Sequence, residues 1–191
     1  SEMCIRDRYK MGFYSDTANF IKKYEGYTST AVWDVNAWRI GHGSDTITLP
    51  NGTVKKVVQT DTTTPELAQL DLERRIKNDF EPKVKKQIGA KYNQLPDNSK
   101  TALISIAYNY GRVPTTEIIN AAQSLDNKKL AKAFTDSTVN HNVGTPYYSG
   151  LRKRRIAESN YILAGTQKSS LNAGLPILIF AILFYNLIIR K

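Results

Sequence analysis

A single cysteine, Cys4, stands in the 191-residue chain, so no intramolecular disulfide forms and no thiolate cluster holds a metal. Stability has to come from packing. Histidine is almost as scarce. His42 and His141 are far apart, and neither falls in a ligand spacing such as H-E-x-x-H, so no metal site and no cofactor are expected. The Gly41-His42-Gly43 run lacks the glycine spacing of a dinucleotide loop and the Lys-Ser/Thr ending of a P-loop, which removes phosphate-cradling chemistry. There is no internal repeat and no low-complexity tract. Acidic residues are also short, 17 against 27 Lys and Arg, for a net charge of +10. A basic surface attracts polyanions, be they nucleic acid, anionic lipid or anionic wall polymer, and it equally serves solubility. No nucleic-acid motif accompanies the charge, so nucleic acid is not an expected partner.

What is present is a globular composition, 41% hydrophobic and 23% charged, long enough for one domain with a real core and too short for two ordinary ones. The two ends differ from the middle. Residues 1–10, SEMCIRDRYK, show neither helical nor strand periodicity and no apolar h-region of a secretory signal, and read as a non-native-looking leader. Residues 167–191 read as a linker followed by an apolar stretch at 175–189, LPILIFAILFYNLII, closed by Arg190 and Lys191. Twenty-one uncharged residues from Ser169 can just span a bilayer, since a helix needs ~20. A buried terminal helix is the alternative, but a core helix usually shows a polar face and this segment shows none. The leader contributes +1 and the tail +2, which leaves +7 in residues 11–168.

Residues 11–166 read as one domain. Ser15 or Asp16 caps a helix through TANFIKKYE, with Phe20, Ile21 and Tyr24 on one face and Gly26 as its left-handed terminator. Short strands follow at AVW, WRIGHG, TITL and VKKVV, with a Pro50-Asn51-Gly52 hairpin turn between the last two. Thr64-Pro65 opens a helix whose Leu67, Leu70, Leu72 and Ile76 recur near helical spacing. Pro82 breaks or restarts it. Leu95-Pro96 opens the most apolar helix, TALISIAYNY, which ends at Gly111. Further helices fit TEIINAAQSL, KKLAKAFTDS and GLRKRRIAESNYILAG. The sum is α+β, with a small antiparallel β-region beside a helical bundle and an apolar C-terminal helix.

With metal and thiolate excluded, the chemistry left is that of carboxylates. Glycoside hydrolysis commonly uses two, one donating a proton to the leaving oxygen and one staying ionised. Glu25, at a helix C-terminus, faces the negative end of the dipole, which favours the protonated acid. Asp34, in a loop entering the β-region, is expected solvated and ionised. By spacing alone both are ordinary surface residues. His42, in a strand, reads as structural. Tyr27, Trp33 and Trp38 flank the presumed cleft, where an aromatic face either stacks on sugar or packs on protein. The RKRR run at 152–155 reads by default as a solvated helix face.

Four stretches in order change the weight of these readings. Glu25-Gly26, then Trp33-Asp34, then Arg39-Ile40-Gly41-x-Gly43 resembles the E-G, aromatic-x-D and T-I-G-x-G pattern of the phage-type lysozymes, glycoside hydrolase family 24. TALISIAYNYG at 101–111 is similar to that family's central helix, with Asn109 and Gly111 fitting its ending, and GLRKRRIAES at 150–159 is similar to its terminal helix. The resemblance, over about residues 15–166, implies a lysozyme-like fold. It implies a monomeric catalytic domain acting on peptidoglycan glycan strands, with Glu25 as general acid and Asp34 as second carboxylate. The cleaved bond would be the β-1,4 link between N-acetylmuramic acid and N-acetylglucosamine. Arg39 stands where the family carries Thr. A guanidinium donates only, so Arg39 is expected to pair with Asp34 or to position substrate. The change leaves a lytic transglycosylase, or a wall-binding protein without activity, as alternatives. Together with the apolar tail, the resemblance implies a lysozyme held in a phage virion membrane, or at the host inner membrane on its cytoplasmic side.

Overall fold

The computed structural model describes residues 2–137 and 144–165. The first helix, α1, runs from Glu2 to Lys22, so the expected start at Ser15 or Asp16 is overturned. Both residues lie inside the helix, and the leader, which shows no helical periodicity, is helical to residue 2. No proline interrupts residues 2–22, and the lone glycine, Gly12, costs a helix interior only about 1 kcal/mol. Two antiparallel hairpins follow: β1 (Thr28–Asp34) with β2 (Ala37–Gly41), and β3 (Thr46–Thr48) with β4 (Val54–Lys56). The second turns through Pro50-Asn51-Gly52, as its sequence predicts. Gly52 sits at φ +85° and donates to the Leu49 carbonyl at 2.9 Å.

The helical bundle begins at α2 (Pro65–Arg75), whose Thr64 hydroxyl accepts from the Leu67 amide. Proline at 82 has no N–H to return to Asn78, and the chain widens into a π-helical turn over Ile76–Phe80 before α3 (Glu81–Ile88) resumes. A 3-10 turn, Gly89–Gln94, leads to α4 (Asp97–Tyr110), closed by Gly111 in the left-handed region at φ +77°. Then come α5 (Thr116–Gln123), α6 (Asn127–Asp136) and a last described helix, α7, over 148–165. The α4 helix is the hub. Ala102 through Ala107 are buried, in one cluster with Ile21 of α1, Leu72 of α2, Ile76 of the π-turn, Ile118 of α5, Phe134 of α6 and Ile162 of α7. A smaller cluster, Ile40, Ile47 and Val57, stiffens the β-region.

The two regions are joined by a buried carboxylate that periodicity misses. Leu70, on the expected apolar stripe of α2, is exposed, while Asp71 beside it is 3% exposed. Asp71 accepts from Ser44 Oγ at 2.6 Å, Thr48 Oγ1 at 2.6 Å and Thr46 Oγ1 at 3.1 Å, and Arg74 Nη2 lies 3.4 Å away. Gly41 of β2 makes the close approach beside it. It sits at φ +61°, and a Cβ there would fall 2.9 Å from that of Ala68. No described helix is long and apolar enough to cross a membrane, and the stretch at 175–189 lies outside the described residues. Replacing Asp71 with Ala removes the shared acceptor of the Ser44, Thr46 and Thr48 hydroxyls and one of the two carboxylates beside Arg74. The expected cost is about 3 kcal/mol, read from the urea unfolding midpoint.

Candidate functional site

Lys23, Tyr24 and Glu25 continue α1 for one more turn. Glu25 donates its amide to the Ile21 carbonyl at 3.3 Å, and its side chain projects from the helix C-terminus. Gly26 does not take the expected left-handed conformation. The helix end is closed instead by a side chain from the β-region, for His42 Nδ1 donates to the Gly26 carbonyl at 3.1 Å, which sets the Nδ1–H tautomer. The His42 carbonyl in turn accepts from Tyr108 Oη of α4 at 2.5 Å, and Tyr108 Oη accepts from Arg75 Nη1 at 3.1 Å. Burial keeps that phenol protonated, pushed up to about 12. His42 thus performs the structural role its strand position suggests.

Opposite the helix end stands a residue to which the sequence reading gave no role. Arg154 Nη1 of α7 donates to Glu25 Oε1 at 2.5 Å. Its Nη2 donates to the Ser105 carbonyl at 3.1 Å and lies 3.2 Å from Ser105 Oγ, while Nε is 3.4 Å from Glu158 Oε1. Glu158 is wholly buried. It also accepts from Ser105 Oγ at 2.6 Å and Arg155 Nη2 at 2.8 Å, and Arg155 Nε approaches Oε2 to 2.6 Å without hydrogen-bond alignment. Burial pushes the Glu158 carboxyl up against the opposing pull of both arginines, and it pushes Arg155 down. The RKRR run therefore divides. Arg152 and Lys153 are exposed as expected, whereas Arg154 and Arg155 are buried. Glutamate three and four residues after two arginines, on the face that also carries Ile162, was the available signal.

The second candidate carboxylate has a different partner. Asp34 ends β1 at the hairpin tip, its side chain 62% exposed, with Arg39 Nε 3.7 Å from Oδ2. The Arg39–Asp34 pairing expected from sequence is thus present. Arg39 Nη1 is equally 3.7 Å from Asp45 Oδ1, and Asp45 lies 4.0 Å from Arg75 Nη2. Alternating charges run from the hairpin tip to the α2 rod, and Asp45 is a member that sequence reasoning missed. Glu25 and Asp34 stand at opposite ends of the 27–34 segment, each with its own arginine. At the hairpin tip, directly after Asp34, Val35 takes φ +52°, which a β-branched residue rarely adopts.

The four remaining candidates separate by burial. Trp33 is 56% exposed and meets Trp38 edge-on across the strands at 5.5 Å. Trp38 is half-buried on the Ile40 cluster. Tyr27 leans on the His42 ring at 5.5 Å and donates to the Thr63 carbonyl at 3.3 Å. Asn109 is exposed in the last turn of α4. Trp33, Tyr27 and Asn109 are open to a ligand, and Trp38 is chiefly a packing residue.

Two comparisons with known proteins bear on this arrangement. The family model for phage lysozyme matches residues 22–158. The crystal structure of the active form of P1 phage endolysin Lyz superposes with a TM-score of 0.59 at 21% identity, over 78% of this chain and 84% of that one, a likeness of fold. No curated protein sequence matches the chain.

Two outcomes follow from the geometry. Arg154→Met leaves Glu25 unpaired and Glu158 with one cation, and is expected to cost about 3 kcal/mol in urea unfolding. Burial holds His42 below its ordinary 6.5, so the unfolded chain binds its proton more readily. Its contribution is present above pH ~6.5 and is lost as pH falls through the folded value. Thermal melts from pH 7 down to about 5 should show this component in wild type, and it should be missing in His42→Gln.

Proposed function

The chain belongs to the phage lysozyme family, a lysozyme-like group that degrades peptidoglycan, and on that premise we propose that it cleaves the β-1,4 bond between N-acetylmuramic acid and N-acetylglucosamine. The observation that carries this reading is Glu25, projecting from the end of α1 with one oxygen held by the buried Arg154. An acid that must deliver a proton to a glycosidic oxygen has to be held at one angle, and a guanidinium anchored at Ser105 and Glu158 holds it so. Asp34, beside Arg39 at 3.7 Å, is the second carboxylate, which supports positive charge on the sugar or activates water. Trp33 and Tyr27 offer apolar faces to sugar rings, and Asn109 a polar contact.

A lytic transglycosylase acting on the same bond is the second reading. It is favoured by Arg39, which puts a donor-only cation where the family pattern has a hydroxyl, and by the exposure of Asp34. The residues 11–166 form the catalytic unit in either case. The apolar segment at 175–189 supports attachment to a phage or host membrane, and with it a role in host lysis or phage entry. A chain ending at Gly165 is then expected to leave the membrane fraction that the full chain occupies.

Clearing of a peptidoglycan suspension should fall by about 10²–10⁴-fold in Glu25→Gln. Equal clearing by wild type and variant would sink the assignment, and binding to peptidoglycan without any new reducing ends would support a non-enzymatic wall-binding protein. Asp34→Asn, with mass spectrometry of the products, separates the two chemistries. Hydrolysis gives new reducing ends and depends on Asp34, whereas transglycosylation gives anhydromuramyl ends and tolerates its loss.

A further inference from the structure

Asp34 and Ala37 are a register pair of the first hairpin, so only Val35 and Asn36 connect its strands. Two-residue hairpin turns place Gly or Asn where φ is positive. Here the positive φ, +52°, falls on Val35, and Asn36 follows it without one. The Asn36 amide donates to the Asp34 carbonyl at 2.5 Å, an i to i+2 bond that makes Val35 the centre of a γ-turn. With positive φ this is the rare, strained form. A β-branched side chain adds to the strain, and burial does not offset it, because Val35 is 89% exposed. Leu125, the other described non-glycine residue with positive φ, is by contrast packed against the main core.

The turn sits beside a polar cluster. Val32 is the register partner of Arg39, and residues two apart share a side of a strand, so Asp34 and Arg39 lie on one face of the ribbon. Arg39 Nε is 3.7 Å from Asp34 Oδ2, its Nη2 donates to Asn36 Oδ1 at 3.5 Å, and its Nη1 is 3.7 Å from Asp45 Oδ1. One guanidinium therefore meets the residues on both sides of Val35.

We infer that Val35 is a positioning residue: the strained turn centred on it fixes the main chain of Asp34, and with it the direction of the Asp34 carboxylate. At positive φ only a narrow left-handed well is open to a β-branched residue, whereas glycine ranges widely there. The turn therefore holds one conformation. Strain of this kind persists where surrounding structure enforces it, here the β1–β2 pairing and the Arg39 contacts, and it gathers at groups that must point one way. A carboxylate at the exposed end of a hairpin has no packing around it to set its direction. Val35 sets it through the backbone. The inference rests on Asp34 as the second carboxylate of the proposed reaction.

The test is the initial rate of clearing against peptidoglycan concentration, with melting curves, for the full chain as wild type, Val35→Gly, Val35→Ile, Val35→Asn and Asp34→Asn. Asparagine tolerates positive φ without glycine's extra freedom in the unfolded chain, so Val35→Asn reads the strain and is expected to melt a few degrees higher. Val35→Gly reads the restriction. Assayed below its melting transition, it is expected to turn over about tenfold more slowly, with KM little changed. Val35→Ile keeps the branching and is expected to keep the wild-type rate. A lower melting point in Val35→Asn would overturn the inference, as would a wild-type rate in Val35→Gly or an equal loss in Val35→Ile. If Asp34→Asn is impaired and Val35→Gly is not, the inference alone fails. If Asp34→Asn clears as fast as wild type, it fails together with the role of Asp34.

Discussion

Arg154 is the residue on which the rest of the site depends. It is a buried cation reached by α1 through Glu25, by α4 through Ser105 and by its own helix through Glu158. A guanidinium out of water is tolerated only where its donors and its charge are answered. Here Arg154 and Arg155 face Glu158 and Glu25, two cations against two carboxylates. The charge balance closes only when α1 delivers Glu25 to the same point that α4 and α7 reach. Such a buried group adds little net stability against an apolar replacement, but it penalises any other arrangement of the three helices. Precision at Glu25 comes from that penalty.

The β-region is fastened by a different device with the same logic. Asp71 accepts from three hydroxyls of the segment 44–48, and Gly41 lets β2 approach α2 closely enough for those bonds to form. His42 then ties the strand to the end of α1, and Tyr108 ties it to α4. The hairpin base is therefore locked to the bundle, whereas its tip, with Asp34, Val35 and Trp33, stands in solvent. Glu25 belongs to the locked end and Asp34 to the open one. Solvent-exposed pairs such as Arg39–Asp34 contribute little energy by themselves. Arg39 acts by local charge, shared between Asp34 and Asp45, with Arg75 beyond it.

Much of the architecture was legible in the chain. Thr64-Pro65, Asn51-Gly52, Leu95-Pro96 and Gly111 mark element ends through backbone chemistry that is local, and the structure agrees at each. Glu25 at a helix end and a structural His42 were equally readable, whereas Asp34, expected in a loop entering the β-region, is the last residue of β1. The misreadings occurred where local signals compete with distant partners. Gly26 was expected to close α1, but His42 does so from sixteen residues away. Leu70 fits the apolar stripe, yet Asp71 is the buried residue, because its partners lie on a strand that periodicity in α2 knows nothing of. RKRR looks like one solvated run, and two of its four members are interior.

Composition, turn chemistry and periodicity by themselves determined a basic net charge, a first helix, short strands with one hairpin turn, a helical bundle, and a candidate pair of carboxylates. These follow from properties of neighbouring residues. Tertiary structure alone decided which charges survive at the surface. It buried Glu81 against Tyr14 and Tyr92, buried Arg154, Arg155 and Glu158 where Glu25 and Ser105 of other helices meet them, and gave each candidate carboxylate a different arginine. The physical reason is that a charge is specified by its partners and its solvent, and neither is a property of adjacent sequence.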